Sequence, residues 1–120
     1  MTQSLEDYLE MVSFLADEGP VRVTDIASRL SVSKPSVLTA LKALEERGFV
    51  IHERYQGVMI TDTGRERAAA IREKHEFLTG FLRNIVGVSP EVAEEDGCRM
   101  EHVISDETVS KLKALAERLG

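Results

Sequence analysis

The chain is poor in several residue types that mark particular classes of protein. Its 120 residues include one cysteine, three prolines and no tryptophan. A single cysteine cannot form an internal disulfide, which fits a reducing compartment and leaves Cys98 available as a metal ligand. No apolar run approaches the ~20 residues that a membrane-spanning helix needs. The N-terminus also has no basic stretch followed by an apolar one, so we expect no signal peptide and a cytoplasmic protein.

The residues that are present describe a globular chain with an acidic balance. A length of 120 residues suits one domain, or two small subdomains that share a core. Hydrophobic residues make up 42% of the chain, which is enough for a core, and charged residues make up 30%. The formal net charge of −6 argues against binding nucleic acid with the whole surface. It leaves room for a local basic surface.

Two short helices with a tight connection are predicted between residues 22 and 47, after a first helix over residues 4–17 with Ser4 as its N-cap. In the second of the pair, Ser33 can serve as N-cap, Pro35 falls in the first turn and Gly48 ends the helix. A helix, a turn of three to four residues and a helix form the helix-turn-helix motif, although an ordinary helical hairpin has the same outline.

The open side of this second helix is suited to DNA. It has no acidic residue before Glu45, and its hydroxyl, lysine and proline side chains can contact phosphates and thymine methyl groups. The residues expected at this surface are Ser33, Lys34, Pro35, Ser36, Thr39 and Lys42.

Residues 49–61 favour the DNA-binding interpretation over the helical hairpin. They comprise two short β-prone runs around a polar turn, and a β-hairpin directly after a helix-turn-helix makes a winged helix. Its turn, Arg54, Tyr55 and Gln56, would reach the DNA backbone or minor groove. From Arg22 to Arg54 there are six basic and four acidic residues, so this part is locally positive.

The second half of the chain is predicted to be helical throughout. One long helix should run from residue 62 to about 86, with more apolar surface than a helix beside one small domain needs. That surplus indicates a subunit interface. Ser89 and Pro90 open another helix, and Ser105 opens the last.

Three segments carry candidate metal ligands. If the segment from Cys98 to His102 is helical, Cys98, Glu101 and His102 stand at i, i+3 and i+4 on one face. Thiolate, carboxylate and imidazole all bind divalent transition metals. Asp7 and Glu10, at i and i+3, and His75 on the long helix can complete the set. Taken alone, each residue is more simply explained as part of a solvated helix face, a surface histidine or a small buried side chain.

This order of elements and residues resembles the diphtheria-toxin-repressor and manganese transport regulator family of bacterial metal-dependent repressors. The segment from Cys98 to Glu107 resembles the iron-responsive branch, whereas Asp7 and Glu10 resemble the manganese-responsive branch. The resemblance covers essentially the whole chain and implies a mainly α fold. It implies a winged helix-turn-helix domain over residues 1–62 and a helical metal-binding and dimerisation domain over residues 63–120. The SH3-like third domain of longer relatives is not expected.

The resemblance also implies how the protein works. We expect a homodimer that binds double-stranded operator DNA when a divalent metal occupies a site formed by Asp7, Glu10, His75, Cys98, Glu101 and His102. Glu94 and Glu95 could join an ancillary site. Oxygen and nitrogen ligands suit Mn²⁺ and Fe²⁺, while the thiolate favours Fe²⁺, Co²⁺ or Zn²⁺. Mn²⁺ is placed slightly ahead of Fe²⁺, with Zn²⁺ third.

Two other classes of function fit parts of the sequence. A winged-helix regulator could sense a small ligand or an oxidant through Cys98 without any metal, which requires an accessible, reactive thiol. A metallohydrolase or a Cys–His hydrolase would need an open coordination position or an oriented nucleophile. The sequence has no H-E-x-x-H or nucleophile-elbow motif, so no enzymatic activity is expected.

Overall fold

The computed structural model describes residues 1–120, with the side chain of Gln3 left outside the description. It divides into two compact units, an N-terminal unit of Met1–Ala70 and a C-terminal unit of Ile71–Gly120. Among the described residues, no helix is both long enough and apolar enough to cross a membrane. The predicted fold class is confirmed: the chain is mainly helical, a two-stranded hairpin follows a helix-turn-helix, and further helices complete the chain.

The N-terminal unit is a winged helix. Its elements are α1 (Gln3–Ala16), α2 (Val23–Leu30), α3 (Lys34–Glu46), β1 (Val50–Glu53) and β2 (Gly57–Ile60). The two strands pair antiparallel, from Val50 opposite Ile60 to Glu53 opposite Gly57. The core is built from one side of each element, and its fully buried side chains include Leu9, Val12, Ile26, Val37, Leu41, Leu44, Val50 and Val58.

The first residues of α1 and α3 test the N-caps predicted from the sequence. The Ser33 side chain accepts a hydrogen bond from the Ser36 N–H, so α3 has the N-cap predicted from the sequence. For α1 the prediction was wrong. Thr2, rather than Ser4, is the N-cap and accepts from the Leu5 N–H, and the helix therefore begins at Gln3. Either hydroxyl can cap a helix, and the sequence alone does not distinguish two candidates this close together.

A compact junction joins the wing to the next helix, α4 (Asp62–Phe81). The Thr61 hydroxyl lies 2.6 Å from the Gly48 carbonyl oxygen and accepts from the Gly64 N–H at 3.0 Å. A Cβ atom on Gly64 would overlap the Phe49 carbonyl oxygen, so glycine is the residue best suited to this point of the helix. The junction therefore fixes the start of α4 against the turn that follows α3.

The C-terminal unit contains the rest of α4, a π-helical turn (Leu82–Val86), α5 (Pro90–Met100) and α6 (Asp106–Leu119). Ser89 and Ser105 cap α5 and α6 as predicted, each accepting a hydrogen bond from the N–H three residues on. The prediction that Cys98, Glu101 and His102 share one helix was wrong in one respect. α5 ends at Met100, Glu101 is its C-cap and His102 lies in the turn that follows.

Candidate metal centre and DNA-binding surface

The C-terminal unit brings three metal-binding side chains together. His75 comes from α4, Cys98 from α5 and Glu101 from the end of α5, and their donor atoms all lie within 4.8 Å of one another. Cys98 is exposed to solvent and His75 is half-buried. The Glu101 residue is 4% exposed and is the buried charged residue of the described core. Solvent therefore reaches the cluster from the side of the thiol and is excluded on the side of the carboxylate.

The Glu101 carboxylate lies between two imidazoles. Its Oε2 is 2.9 Å from His75 Nδ1, and its Oε1 is 3.2 Å from His102 Nε2. The His102 side chain is completely buried. Removing a carboxylate and an imidazole from water is costly unless polar or charged partners compensate. This arrangement is therefore a built polar site rather than a chance surface grouping.

Another carboxylate, that of Glu94, contacts His75 from the opposite edge of its ring. The Nε2 atom of His75 is hydrogen-bonded to Glu94 Oε1 at 2.9 Å. The neighbouring Glu95 makes a different pair, with Arg99 at 2.9 Å. Both ring nitrogens of His75 therefore face carboxylate oxygens, Glu101 on one side and Glu94 on the other.

Two contacts hold the elements that carry these ligands. Gly97 is buried on α5, and a Cβ atom there would lie 2.5 Å from Thr79 Oγ1 and 3.3 Å from Thr79 Cα. The absence of a side chain at Gly97 lets α5 approach α4 closely, just before Cys98. In addition, the Lys74 ammonium donates to the Ile104 carbonyl oxygen at 2.9 Å, which joins α4 to the turn that carries His102.

The sequence did not point to either of these contacts. Lys74 stands directly before His75, and Gly97 directly before Cys98. Their position next to a candidate ligand was the signal by which Lys74 and Gly97 could have been identified from the sequence. Their partners are 30 and about 18 residues away in the chain, which a helical periodicity does not reveal.

The remaining two candidate ligands belong to the N-terminal unit. Asp7 and Glu10 lie one turn apart on α1, and both side chains are half-buried. A spacing of three residues places two helical side chains on one face. Their membership of a metal site together with residues of the C-terminal unit stays a prediction.

The three clustered side chains fit a divalent transition metal. Metal–nitrogen and metal–oxygen bonds of about 2.1 Å at a right angle would place the two donor atoms about 3 Å apart. The observed 2.9 Å between His75 Nδ1 and Glu101 Oε2 is compatible with donors that share one ion. Imidazole and thiolate favour a transition metal, since Mg²⁺ and Ca²⁺ are bound by oxygen.

The predicted DNA-contacting residues all lie on exposed positions of the N-terminal unit. On α3, Thr39 donates its hydroxyl hydrogen to the Pro35 carbonyl oxygen at 3.0 Å, so that hydrogen is used within the helix. At the tip of the wing, Tyr55 is 89% exposed and the Arg54 guanidinium lies 5.5 Å from its ring centre. The structure shows these side chains available for a partner, and their contacts with DNA stay predictions.

Comparison with known proteins covers both units. Residues 1–58 match the N-terminal DNA binding domain of the iron dependent repressors. Residues 61–119 match the metal binding and dimerisation domain of the same family. The transcriptional regulator MntR of Salmonella typhimurium is 39% identical, with 97% of this chain and 74% of MntR covered. MntR of Geobacillus kaustophilus is 35% identical, with 97% of this chain and 82% of the relative covered.

Solved structures agree with the sequence comparison. The manganese regulator SloR matches with a TM-score of 0.80 at 28% identity, over 98% of this chain and 55% of SloR. ScaR with bound Cd²⁺ matches with a TM-score of 0.84 at 28% identity, over 94% of this chain and 53% of ScaR. This chain thus spans about half the length of those two proteins.

These matches confirm the resemblance and the expectation that the chain is not an enzyme. A winged helix is followed by helices that bring an imidazole, a thiol and a carboxylate together. The two domains of one family match these two parts in the same order. The chain belongs to the iron dependent repressor family of metal-dependent, DNA-binding transcriptional regulators.

Proposed function

We propose that this chain is a manganese-activated repressor that binds operator DNA as a homodimer in the cytoplasm and controls genes for metal uptake. The cluster of His75, Cys98 and Glu101 is the observation that carries the proposal, because it lies in the part that matches a metal binding and dimerisation domain. Exposed apolar side chains of the C-terminal unit, Ile85, Val86 and Leu119 among them, support a dimer interface there.

The proposed ligand set has six members. His75, Cys98 and Glu101 form its centre, and the buried His102 ring beside Glu101 is a fourth ligand. Asp7 and Glu10 supply two more carboxylates from α1. The corresponding domain organisation is a DNA-binding domain over residues 1–62 and a metal-binding and dimerisation domain over residues 63–120.

The choice of metal follows from the donors. Three carboxylates and two imidazoles suit Mn²⁺, and the thiolate of Cys98 raises the affinity for Fe²⁺, Co²⁺ and Zn²⁺ relative to Mn²⁺. Two relatives of known structure are described as a manganese regulator, SloR, and as a manganese-activated repressor, ScaR. Structures of ScaR also contain Cd²⁺ or Zn²⁺, so a relative accepts softer ions as well. We therefore rank Mn²⁺ first, Fe²⁺ second and Zn²⁺ third.

Regulation would follow from ligands drawn from both units. A shared coordination sphere would couple the N-terminal unit, which presents α3 to DNA, to the C-terminal unit, which dimerises. A dimer must place two recognition helices about one turn of DNA apart, and a state with another spacing binds weakly. The bound metal supplies a preference for the binding-competent state. A preference of ~100-fold corresponds to about 2.7 kcal/mol.

The test compares a buried ligand with an exposed carboxylate. Operator sequences are first selected from a randomised duplex pool with the Mn²⁺-loaded protein. Glu101→Gln, which keeps the side-chain shape, should abolish Mn²⁺-dependent binding while circular dichroism and the dimer stay unchanged. Glu107→Gln, at an exposed position in the first turn of α6, should leave binding intact.

Two outcomes of this test would contradict the proposal. One is normal Mn²⁺-dependent DNA binding by Glu101→Gln. The other is full DNA binding by the unaltered protein in excess chelator, with loss of binding on oxidation of Cys98. The second result would support the metal-free redox sensor instead.

A further inference from the structure

His75 has an unusual arrangement of neighbours for a candidate metal ligand. Its Nδ1 faces Glu101 Oε2 at 2.9 Å, and its Nε2 is hydrogen-bonded to Glu94 Oε1 at 2.9 Å. A neutral imidazole carries a hydrogen on one ring nitrogen and a lone pair on the other. Only one of the two carboxylates can therefore accept a hydrogen bond from neutral His75, and the choice decides which nitrogen can bind a metal.

The two carboxylates differ in their surroundings. Glu101 is buried, contacts His102 as well, and belongs to the group whose donor atoms lie within 4.8 Å of one another. Glu94 is 64% exposed on the outer side of the ring and, among the described residues, is not a member of that group. Nδ1, the nitrogen that faces Glu101, is the one placed to donate its lone pair to an ion bound by that carboxylate, so the hydrogen belongs on Nε2.

We propose that Glu94 is a positioning residue for the metal centre. Its carboxylate accepts the Nε2–H hydrogen bond of His75, which fixes the ring orientation and presents the Nδ1 lone pair to the space shared with Cys98 and Glu101. A carboxylate behind a ligating histidine also makes the imidazole a stronger donor, and its loss lowers metal affinity by roughly 10–100-fold. The inference rests on the proposed metal site and assigns a role to a residue outside it.

The chain provides a matched control in the next residue. Glu95 lies on the same helix, is 62% exposed and makes one ion pair at 2.9 Å, but its partner is Arg99 and not a candidate ligand. A carboxylate removed at either position changes the charge of α5 by the same amount. A difference between the two variants therefore reports on His75 and not on general electrostatics.

The experiment measures Zn²⁺ affinity by competition with a chromophoric chelator, together with long-range ¹H–¹⁵N NMR of the Zn²⁺-loaded protein. Glu94→Ala should weaken Zn²⁺ binding about 10–100-fold. Glu94→Gln should retain most of the affinity, because its amide oxygen can still accept the Nε2 hydrogen. Glu95→Ala should be within twofold of the unaltered protein. The NMR spectrum of the unaltered protein should show His75 with hydrogen on Nε2 and none on Nδ1.

Several results would overturn the inference. They are equal Zn²⁺ affinities for Glu94→Ala and Glu95→Ala, a Zn²⁺-loaded His75 with its hydrogen on Nδ1, or hydrogen on both nitrogens. The variant Cys98→Ala separates this failure from failure of the proposed site. If Cys98→Ala loses Zn²⁺ while Glu94→Ala does not, the metal site stands and only the role of Glu94 is wrong. If Cys98→Ala binds Zn²⁺ normally, both are wrong.

Discussion

Cys98 and Glu101 are three residues apart, yet their side chains meet different surroundings. The Cys98 thiol is exposed, whereas the Glu101 carboxylate is buried between His75 and His102. If both residues are ligands, as proposed, Cys98 can be exchanged without disturbing the core. The softness of its sulfur would then influence which metal is preferred.

The first prediction follows from that difference. Cys98→Glu should shift the order of activating metals toward Mn²⁺, because a carboxylate oxygen replaces a soft sulfur atom. The measurement is operator binding with Mn²⁺, Fe²⁺, Co²⁺ and Zn²⁺ under anaerobic conditions. Cys98→Ser controls for loss of sulfur without a new charge. An unchanged ranking of the four metals would show that Cys98 is not a ligand in the active protein.

Among the elements, the turn after α5 depends on a contact with α4. Lys74 is 21% exposed, donates to the Ile104 carbonyl oxygen and lies 3.8 Å from Asp106 at the start of α6. The turn that leads into Ile104 carries Glu101 and His102. An ammonium that is largely withdrawn from water gains more from such a bond than an exposed one does.

A substitution that removes the ammonium of Lys74 and keeps a side chain of similar length tests this dependence. Lys74→Met should lower the free energy of unfolding by about 1.5–3 kcal/mol, the typical range for a hydrogen bond to a charged group. It should also speed amide exchange at Ile104, whose N–H is bonded to the Met100 carbonyl. Lys113→Met removes a more exposed ion pair, to Glu73, and should cost less than about 1 kcal/mol. Equal losses for the two variants would contradict a special role for Lys74.

The junction at the base of the wing gives a second prediction at this scale. Gly64→Ala places a methyl group against the Phe49 carbonyl oxygen and the Ile60 side chain. Overpacking of this kind costs about 1–3 kcal/mol, and urea unfolding at fixed protein concentration measures it. At Gly80, later in the same helix, the nearest atom is 3.9 Å away. Gly80→Ala should stabilise the protein by about 0.5–1 kcal/mol. The two substitutions should therefore change the free energy of unfolding in opposite directions.

The elements also show what the sequence could and could not predict. Serine caps followed by proline at Ser33 and Ser89 act through contacts within four residues, so the starts of α3 and α5 were predictable. The end of α5 was not, because no glycine or proline stands at residues 101–104. The pairing of Glu94 with His75 spans 19 residues, and the fit of Gly97 against Thr79 depends on helix packing. Neither contact has a local signature.

For the whole molecule, the distribution of charge matters more than its sum. The chain has a net charge of −6, yet the exposed residues predicted to meet DNA include Lys34, Lys42 and Arg54 and no acid. An acidic protein can bind DNA when a basic surface faces the phosphates, and each phosphate contact contributes to the salt dependence. The rest of the surface then discourages nonspecific association.

This charge distribution predicts how two kinds of substitution differ. Lys42→Ala should weaken all sequences about equally and reduce the salt slope by about one unit for each phosphate that the lysine no longer neutralises. Thr39→Ala should alter the preferred base at one symmetric pair of positions and leave the slope unchanged. Its hydroxyl hydrogen is used within the helix, and we expect its methyl group to contact a thymine. Binding to a randomised operator pool at two salt concentrations measures both. The reverse pattern would mean that α3 is rotated differently in the groove.

The exposure of Tyr55 at the wing tip affects the fluorescence of the protein. The chain contains no tryptophan and two tyrosines, of which Tyr8 is 9% exposed and Tyr55 is 89% exposed. Its ultraviolet emission therefore comes from one tyrosine shielded in the core and one in solvent beside Arg54. A collisional quencher such as iodide should reach the second and not the first. If the wing docks on a duplex, iodide no longer quenches Tyr55. DNA binding can then be followed by the intrinsic tyrosine fluorescence of the unlabelled protein.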